Sequence, residues 1–162
     1  MKSLLLIRHA KSSWDSPGFK DFDRPLNERG HRDAPMMAER LLQKKIGIDR
    51  FITSTANRAL TTAEYFHKAY KAALSHLIAL PELYQAGPST FDAVIASLND
   101  DWNSVALFSH NPGITETVNS FGVASVPDMP TCAIFGINAN IKHWKDFATA
   151  EKLFLLFNYP KI

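Results

Sequence analysis

The sequence predicts an α/β fold, in which a mostly parallel central sheet carries helices on both faces and so forms a three-layer sandwich. Two features of the sequence support this prediction. Short, continuously apolar runs alternate along the chain with longer segments in which apolar residues recur every three or four positions. The chain has 162 residues, a length typical of one domain of roughly 100–200 residues. We therefore predict a single domain over residues 1–162.

Four apolar runs predict the parallel strands. The first, residues 4–7, contains no polar side chain, which is typical of a strand buried on both faces of a parallel sheet. Similar runs occupy residues 51–52, 77–80 and 105–108.

Segments with helical periodicity lie between these runs. In the first segment Asn27 precedes the apolar face and is suited to cap a helix. The predicted buried faces of the four helices are Ala34, Met37, Ala38, Leu41 and Leu42; then Ala59, Ala63, Phe66 and Tyr70; then Phe91, Val94, Ile95 and Leu98; and finally residues 114–121.

The pattern changes after Pro130. Residues 132–137 and 153–157 resemble strands, but no clear helical segment separates them. We predict that both are edge strands of the sheet.

Composition excludes several classes of protein. Eighteen basic and sixteen acidic residues leave a net charge of +2, too small for a protein that binds nucleic acid by charge alone. The apolar runs of four or five residues are much shorter than the roughly 20 needed to span a bilayer, or the roughly 7–15 in the apolar part of a signal peptide. A single cysteine, Cys132, allows neither an internal disulfide nor a cluster of thiolate ligands. We expect a cytoplasmic protein with no membrane or nucleic-acid partner.

Charged side chains follow the predicted strands at the point where each strand ends. The first strand runs into Arg8 and His9, the second is followed by Arg58, the third by Glu82 and the fourth by His110. Because the carboxyl ends of parallel strands share one edge of a sheet, we expect these five side chains to converge there.

This set of side chains suits phosphate chemistry. Two guanidinium groups repel each other unless an anion lies between them, and their planar donors match phosphate oxygens. A neutral imidazole can attack phosphorus, and a second imidazole, if protonated, can offset charge in the transition state. A carboxylic acid can protonate the leaving group and later activate water.

Four motifs resemble those of the histidine phosphatase superfamily, the phosphoglycerate mutase-like proteins. They are Leu6-Ile7-Arg8-His9-Ala10-Lys11-Ser12, the Asp23-Arg24-Pro25-Leu26 stretch that continues to Gly30, the arginine motif from Ser54 to Ala63, and Ser109-His110-Asn111-Pro112-Gly113. They cover roughly the first two thirds of the chain in the family's order. The short chain, with its Arg-His-Ala-Lys-Ser and His-Asn-Pro-Gly variants, is similar to the SixA-type phosphohistidine phosphatase branch.

The resemblance implies roles for individual residues. His9 would be the nucleophile, and Arg8, Arg58 and His110 would complete the phosphate pocket. Ala10 stands where much of the superfamily has glycine, a variant known in this branch. Glu82 lies where a general acid is expected, although its role is inferred from position alone. No cofactor or metal is implied.

Other phosphate chemistries fit the sequence less well. The chain has no Gly-x-x-x-x-Gly-Lys loop, which excludes a P-loop NTPase. Asp21 and Asp23 mimic an aspartate-nucleophile motif but do not follow an apolar strand, and Cys132 lacks the arginine that follows a catalytic thiolate. A metal site made of His9, His110 and Glu82 is disfavoured because Arg8 and Arg58 would repel a dication.

The leading functional hypothesis is a metal-independent phosphatase that removes phosphate from phosphohistidine, with a phosphorylated protein as its substrate. The alternatives are a hydrolase of a small phosphomonoester, a mutase, and a binding module that has a phosphate pocket without turnover. A mutase needs a lid that keeps its intermediate dry, and this chain has few residues to spare for one. Retention of both histidines argues against a module that only binds.

Overall fold

A computed structural model describes residues 1–14 and 18–161. These residues form one six-stranded sheet, in the order β3-β2-β4-β1-β5-β6. Strands β1, β4, β2 and β3 run parallel, whereas β5 runs antiparallel to both of its neighbours. The strands are β1 (Lys2–Arg8), β2 (Arg50–Thr53), β3 (Leu77–Ala79), β4 (Ser104–Ser109), β5 (Ile134–Ala139) and β6 (Lys152–Asn158).

Four α-helices cover this sheet. They are α1 (Glu28–Gln43), α2 (Asn57–Ala69), α3 (Pro88–Ala96) and α4 (Gly113–Ser120). The predicted cap is present, since the Asn27 side chain accepts a hydrogen bond from the Gly30 N–H at 2.9 Å. Each predicted helical segment corresponds to a helix, but Tyr70 and Leu98 lie just beyond the ends of α2 and α3.

Strand β1 shows why the molecule has three layers. Side chains alternate along a strand, so Leu4 and Leu6 point to one face of the sheet while Leu5 and Ile7 point to the other. The first pair packs in a core with residues of α3 and α4, including Phe91. The second pair packs in a separate core with residues of α1 and α2. All four side chains are fully buried. The predicted α/β fold with a mostly parallel sheet is confirmed.

The prediction of two edge strands is wrong for one of them. Strand β6 does lie at an edge, but β5 lies between β1 and β6 and pairs with both. The opposite edge of the sheet is β3. Ile134 and Phe135 of β5 are buried, as expected for a strand that is covered on both faces. A short 3-10 helix, Trp144–Thr149, connects the two strands and buries Trp144 in the core.

No helix in the described part of the chain is long and apolar enough to cross a membrane.

Candidate active site

The carboxyl edge of the parallel strands brings four of the five predicted side chains together. Arg8 ends β1 and His9 follows it, His110 follows β4, and Arg58 lies in the first turn of α2. The rings of His9 and His110 lie 5.2 Å apart between centroids. Nε of Arg58 lies 3.4 Å from Nε2 of His9. Only 5–6% of His9, Arg58 and His110 is exposed, and all three residues line one cavity.

The two nitrogens of His9 have different environments. Nδ1 lies 2.7 Å from the carbonyl oxygen of Ala10, which can only accept, so the ring hydrogen is on Nδ1. Nε2 consequently keeps its lone pair, towards which Arg58 directs its Nε–H. Burial is the main cause that lowers the pKa of His9 well below its usual value, and the nearby cationic side chains add to this effect. His9 is therefore a neutral imidazole whose Nε2 is available as a nucleophile.

Arg8 is held at one end. Its guanidinium donates to the carbonyl oxygen of Met129 at 2.7 Å, while its buried Nε has no hydrogen-bond partner among the described residues. Burial lowers the pKa of Arg8 from its usual value, but a guanidinium remains charged at neutral pH.

His110 is also incompletely paired. Its Nε2 lies 2.8 Å from the hydroxyl oxygen of Ser54, and its buried Nδ1 has no partner within the described chain. Burial first, and then the charge of Arg58, lowers the pKa of His110 to about 3. At neutral pH His110 is therefore uncharged in the unliganded site. The condition under which the second imidazole would carry positive charge, its protonation, is therefore not met in the unliganded site.

Sequence reasoning did not identify Asp21 as part of this site. Asp21 lies in a short 3-10 helix, Asp21–Asp23, and binds Arg58 through both its backbone carbonyl oxygen (2.7 Å) and its carboxylate (3.1 Å). The same carboxylate forms an ion pair with Arg24 at 3.1 Å and accepts a hydrogen bond from the Tyr84 hydroxyl at 2.7 Å. One carboxylate thus bridges two arginines at the mouth of the cavity.

These contacts fix the ionisation state of Asp21. Burial alone would raise its pKa, but the hydrogen bond from Tyr84 and the charge of Arg58 outweigh burial and lower the pKa of Asp21 to about 2. The hydrogen bond to Asp21 in turn raises the pKa of Tyr84. Asp21 is therefore a permanent anion and a poor proton donor.

The cavity has a volume of about 610 Å³, several times the size of a phosphoryl group. Its polar lining outside the two histidines and Arg58 includes both cationic and anionic side chains. Among the described residues that line it are Arg8, Lys11, Ser12, Trp14, Asp21, Arg24, Tyr84, Gln85, Asn111, Glu116 and Thr131. Its two carboxylates, in the described part of the chain, are Asp21 and Glu116.

The structure does not bring Glu82 to the cavity. After β3 the chain makes a 3-10 turn, Pro81–Leu83, that directs Leu83 into the core and leaves Glu82 exposed. The residue that lines the cavity is Tyr84, which directly follows this turn. The geometry thus gives no support to Glu82 as a proton donor, and its assigned role remains a prediction from position.

Some of the missed residues had signals in the sequence. Arg24 lies within the Asp23-Arg24-Pro25-Leu26 motif, Asp21 lies two residues before it, and Ser54 opens the arginine motif. Tyr84 and Glu116 had no such signal, because their positions depend on how a turn and a helix pack.

Within residues 1–14 and 18–161, no group of three or more His, Cys, Asp or Glu side chains is arranged to hold a metal ion.

Most of the chain matches a known protein family. The model of the histidine phosphatase superfamily (branch 1) matches residues 4–121, which include His9, Arg58 and His110. This chain belongs to the histidine phosphatase superfamily. The resemblance seen in the sequence motifs is confirmed, and the phosphatase prediction is confirmed at the level of the family.

Sequence similarity to a bacterial protein extends over about two thirds of the chain. An uncharacterised protein of Mycobacterium leprae is 33% identical over 113 residues, which cover 67% of this chain and 66% of its own. The chain thus spans about two thirds of the length of that relative.

Solved structures extend the similarity to the whole fold. A candidate phosphohistidine phosphatase SixA from Agrobacterium tumefaciens is 27% identical, with a TM-score of 0.84 over 98% of this chain and 99% of its own. The protein histidine phosphatase SixA solved in complex with tungstate is 24% identical, with a TM-score of 0.83 over 98% of this chain and 97% of its own. The latter similarity shows the same fold.

Proposed function

We propose that residues 1–162 act as one phosphatase domain, in which Nε2 of His9 accepts a phosphoryl group and water then removes it. The observation that carries this proposal is the state of His9: a buried, neutral imidazole that lines a cavity and keeps its lone pair on Nε2, beside Nε of Arg58. Arg8 and His110 also line this cavity, and the buried Nε of Arg8 and Nδ1 of His110 have no hydrogen-bond partner among the described residues. Arg8, Arg58 and His110 would therefore bind the phosphoryl oxygens.

The reaction has two steps. In the first, Nε2 of His9 forms a bond to phosphorus while the bond from phosphorus to the leaving group breaks, and the leaving group takes up a proton. In the second, a water oxygen attacks phosphorus, the bond from phosphorus to Nε2 breaks, and the water gives up a proton. The products are the dephosphorylated substrate and inorganic phosphate.

We infer that phosphohistidine on a protein is the preferred substrate. An imidazole leaves phosphorus far more easily than an alkoxide does, so it depends least on a proton donor in the site. Of the two carboxylates that line the cavity, Asp21 is held as an anion by Arg58, Arg24 and Tyr84. The cavity volume of about 610 Å³ leaves room for an imidazole side chain beyond the phosphoryl group. The similarity to the Agrobacterium tumefaciens candidate phosphohistidine phosphatase supports the same substrate class.

One observation favours a second candidate, the hydrolysis of a small phosphomonoester. Glu116 lies in the first turn of α4, lines the cavity, and has no side-chain hydrogen bond or ion pair among the described residues. A carboxyl group in that position is available to protonate an alkoxide leaving group.

We further propose that turnover needs no divalent metal. The guanidinium groups of Arg8 and Arg58 already supply positive charge where the transition state develops negative charge, which is the role a Lewis acid would have.

The test compares two substrates, a phosphohistidine-labelled protein and a phosphoserine-labelled protein, in buffer containing excess EDTA. We expect rapid release of phosphate from phosphohistidine, slower release from phosphoserine, and an acid-labile, base-stable phosphoryl label on the enzyme when turnover is quenched without acid. The His9→Ala variant should lose both label and turnover. His76→Ala, at a histidine that does not line the cavity, should keep both.

Three results would contradict the proposal. Near-parental turnover by His9→Ala would show that His9 is not the nucleophile. Activity that is lost in EDTA and restored by added metal would show that turnover depends on a metal. A faster rate on phosphoserine than on phosphohistidine would contradict phosphohistidine as the preferred substrate.

A further inference from the structure

The hydroxyl of Ser54 makes a contact with His110 that phosphate binding alone does not require. Ser54 follows β2, is fully buried, and places its Oγ 2.8 Å from Nε2 of His110. On the opposite side of the ring, the buried Nδ1 has no hydrogen-bond partner in the described chain. The two ring nitrogens therefore cannot be interchanged.

The direction of the hydrogen bond between Ser54 and His110 follows from what else surrounds the hydroxyl. Oγ of Ser54 already accepts a hydrogen bond from the N–H of Ala56 at 3.2 Å. A serine hydroxyl has one proton to donate, and among its contacts within the described residues Nε2 of His110 is the group that can accept it. If Nε2 instead carried a hydrogen, both the serine proton and the Nδ1 lone pair would be buried without partners, which is costly.

We propose that Ser54 is a positioning residue that fixes His110 as the neutral tautomer with its hydrogen on Nδ1, directed at the oxygen of a bound phosphoryl group. Only the identity of the acceptor, a phosphoryl oxygen, rests on the proposed function. The tautomer itself is a property of the unliganded protein.

A neutral donor suits the charges that face this ring. Burial and the neighbouring cations disfavour a second proton on His110, and its pKa is lowered accordingly. The charged and titratable groups around it are Arg8, His9, Asp21, Arg24, Arg58 and Tyr84. With its hydrogen fixed on Nδ1, His110 can donate to a phosphoryl oxygen without first taking up a proton. It therefore acts as a preorganised hydrogen-bond donor.

The first test reads the tautomer directly. Full-length protein labelled with ¹⁵N-histidine is studied by NMR near pH 7, where the chemical shifts of the two ring nitrogens distinguish the tautomers, and His110→Gln assigns the resonances. We expect hydrogen on Nδ1 of His110 in the parent and in Ser54→Thr, which keeps the hydroxyl. Ser54→Ala should move the population towards hydrogen on Nε2.

Ser109→Ala provides a matched control. Ser109 is an equally buried serine beside His110 in the chain, but its hydroxyl donates to the carbonyl oxygen of Leu83. This variant should keep the parental tautomer. Hydrogen on Nε2 in the parent, or an unchanged tautomer in Ser54→Ala, would overturn the proposal.

The second test measures turnover. Ser54→Ala should lower kcat by up to the roughly 10²–10³-fold loss typical of removing one donor to a developing oxyanion, while Ser54→Thr retains most of the rate. A large loss in Ser54→Ala without a change of tautomer would contradict the proposal. If the parent hydrolyses no phosphorylated substrate, the proposed function fails, but the NMR result still decides the tautomer.

Discussion

Three carboxylates near the carboxyl edge of the sheet have very different surroundings. Asp21 is bound by Arg58, Arg24 and Tyr84, and these contacts keep it ionised. Glu82 and Glu116 are both exposed, but only Glu116 of the two lines the cavity. A proton donor must reach the leaving group, so geometry selects Glu116 as the candidate.

This difference predicts the effect of two matched substitutions. Glu116→Gln should lower the hydrolysis of an alkyl phosphomonoester within the roughly 10²–10⁴-fold range of general acid catalysis, and should affect phosphohistidine hydrolysis less. Glu82→Gln should change either rate by only a few fold. Steady-state assays of both variants on both substrates provide the measurement. A larger loss of activity in Glu82→Gln than in Glu116→Gln would support Glu82, the residue predicted from the sequence, as the general acid.

At the scale of single elements, the position of α4 depends on the close approach of Gly113 to the loop before α3. A Cβ atom added at Gly113 would collide with the backbone carbonyl oxygen of Ala86. Both residues line the cavity, so this contact joins the start of α4 to the cavity wall.

We therefore expect Gly113→Ala to be destabilising, because a backbone carbonyl cannot move aside as a flexible side chain can. Overpacking of this kind costs about 1–3 kcal/mol or more, which urea unfolding would detect. Gly47→Ala is the control, since nothing lies within 4 Å of a Cβ at that position. Equal unfolding midpoints for the two variants would contradict this expectation, because they would show that the loop before α3 can shift to accommodate the added methyl group.

The elements that could be predicted from sequence are those whose own residues reveal their burial. The apolar run of β1 and the amphipathic face of α1 are examples, because local spacing alone distinguishes a strand from a helix. The place of β5 was not predictable in this way, since pairing with β1 is a contact between distant segments.

The same limit applies to the candidate site. Arg8 ends an apolar strand and His9 and His110 each directly follow one, so the end of a strand fixes where they lie. Glu82 was selected by its distance from a strand, but the 3-10 turn after β3 directs Tyr84 to the cavity instead. The backbone geometry of a turn decides which side chain faces inward. The spacing of residues along the sequence does not reveal that geometry.

For the molecule as a whole, the buried histidines link stability to pH. The folded-state pKa of His110 is lowered from 6.5 to about 3, and burial lowers the pKa of His9 as well. Below about pH 6.5 the unfolded chain therefore binds protons at these positions that the folded chain does not. Stability must consequently fall as pH falls below that value.

We expect the free energy of unfolding to decrease between pH 7 and pH 5 by at most about 1.4 kcal/mol per pH unit for each of these two histidines. Urea unfolding at several pH values in this range provides the measurement, since Asp and Glu remain largely ionised there. The variant His110→Gln should show a shallower dependence than the parent. A free energy that is constant over this range in the parent would contradict the burial of neutral histidines.

Asp21 has one further consequence for the whole molecule. Because its carbonyl and carboxylate oxygens hold the outer edge of Arg58, that guanidinium is already fixed before any ligand arrives. Immobilising a long side chain on binding costs about 0.5–1.5 kcal/mol of conformational entropy. Here the loss of rotamer freedom accompanies folding, so the attraction between Arg58 and an arriving anion is not reduced by it.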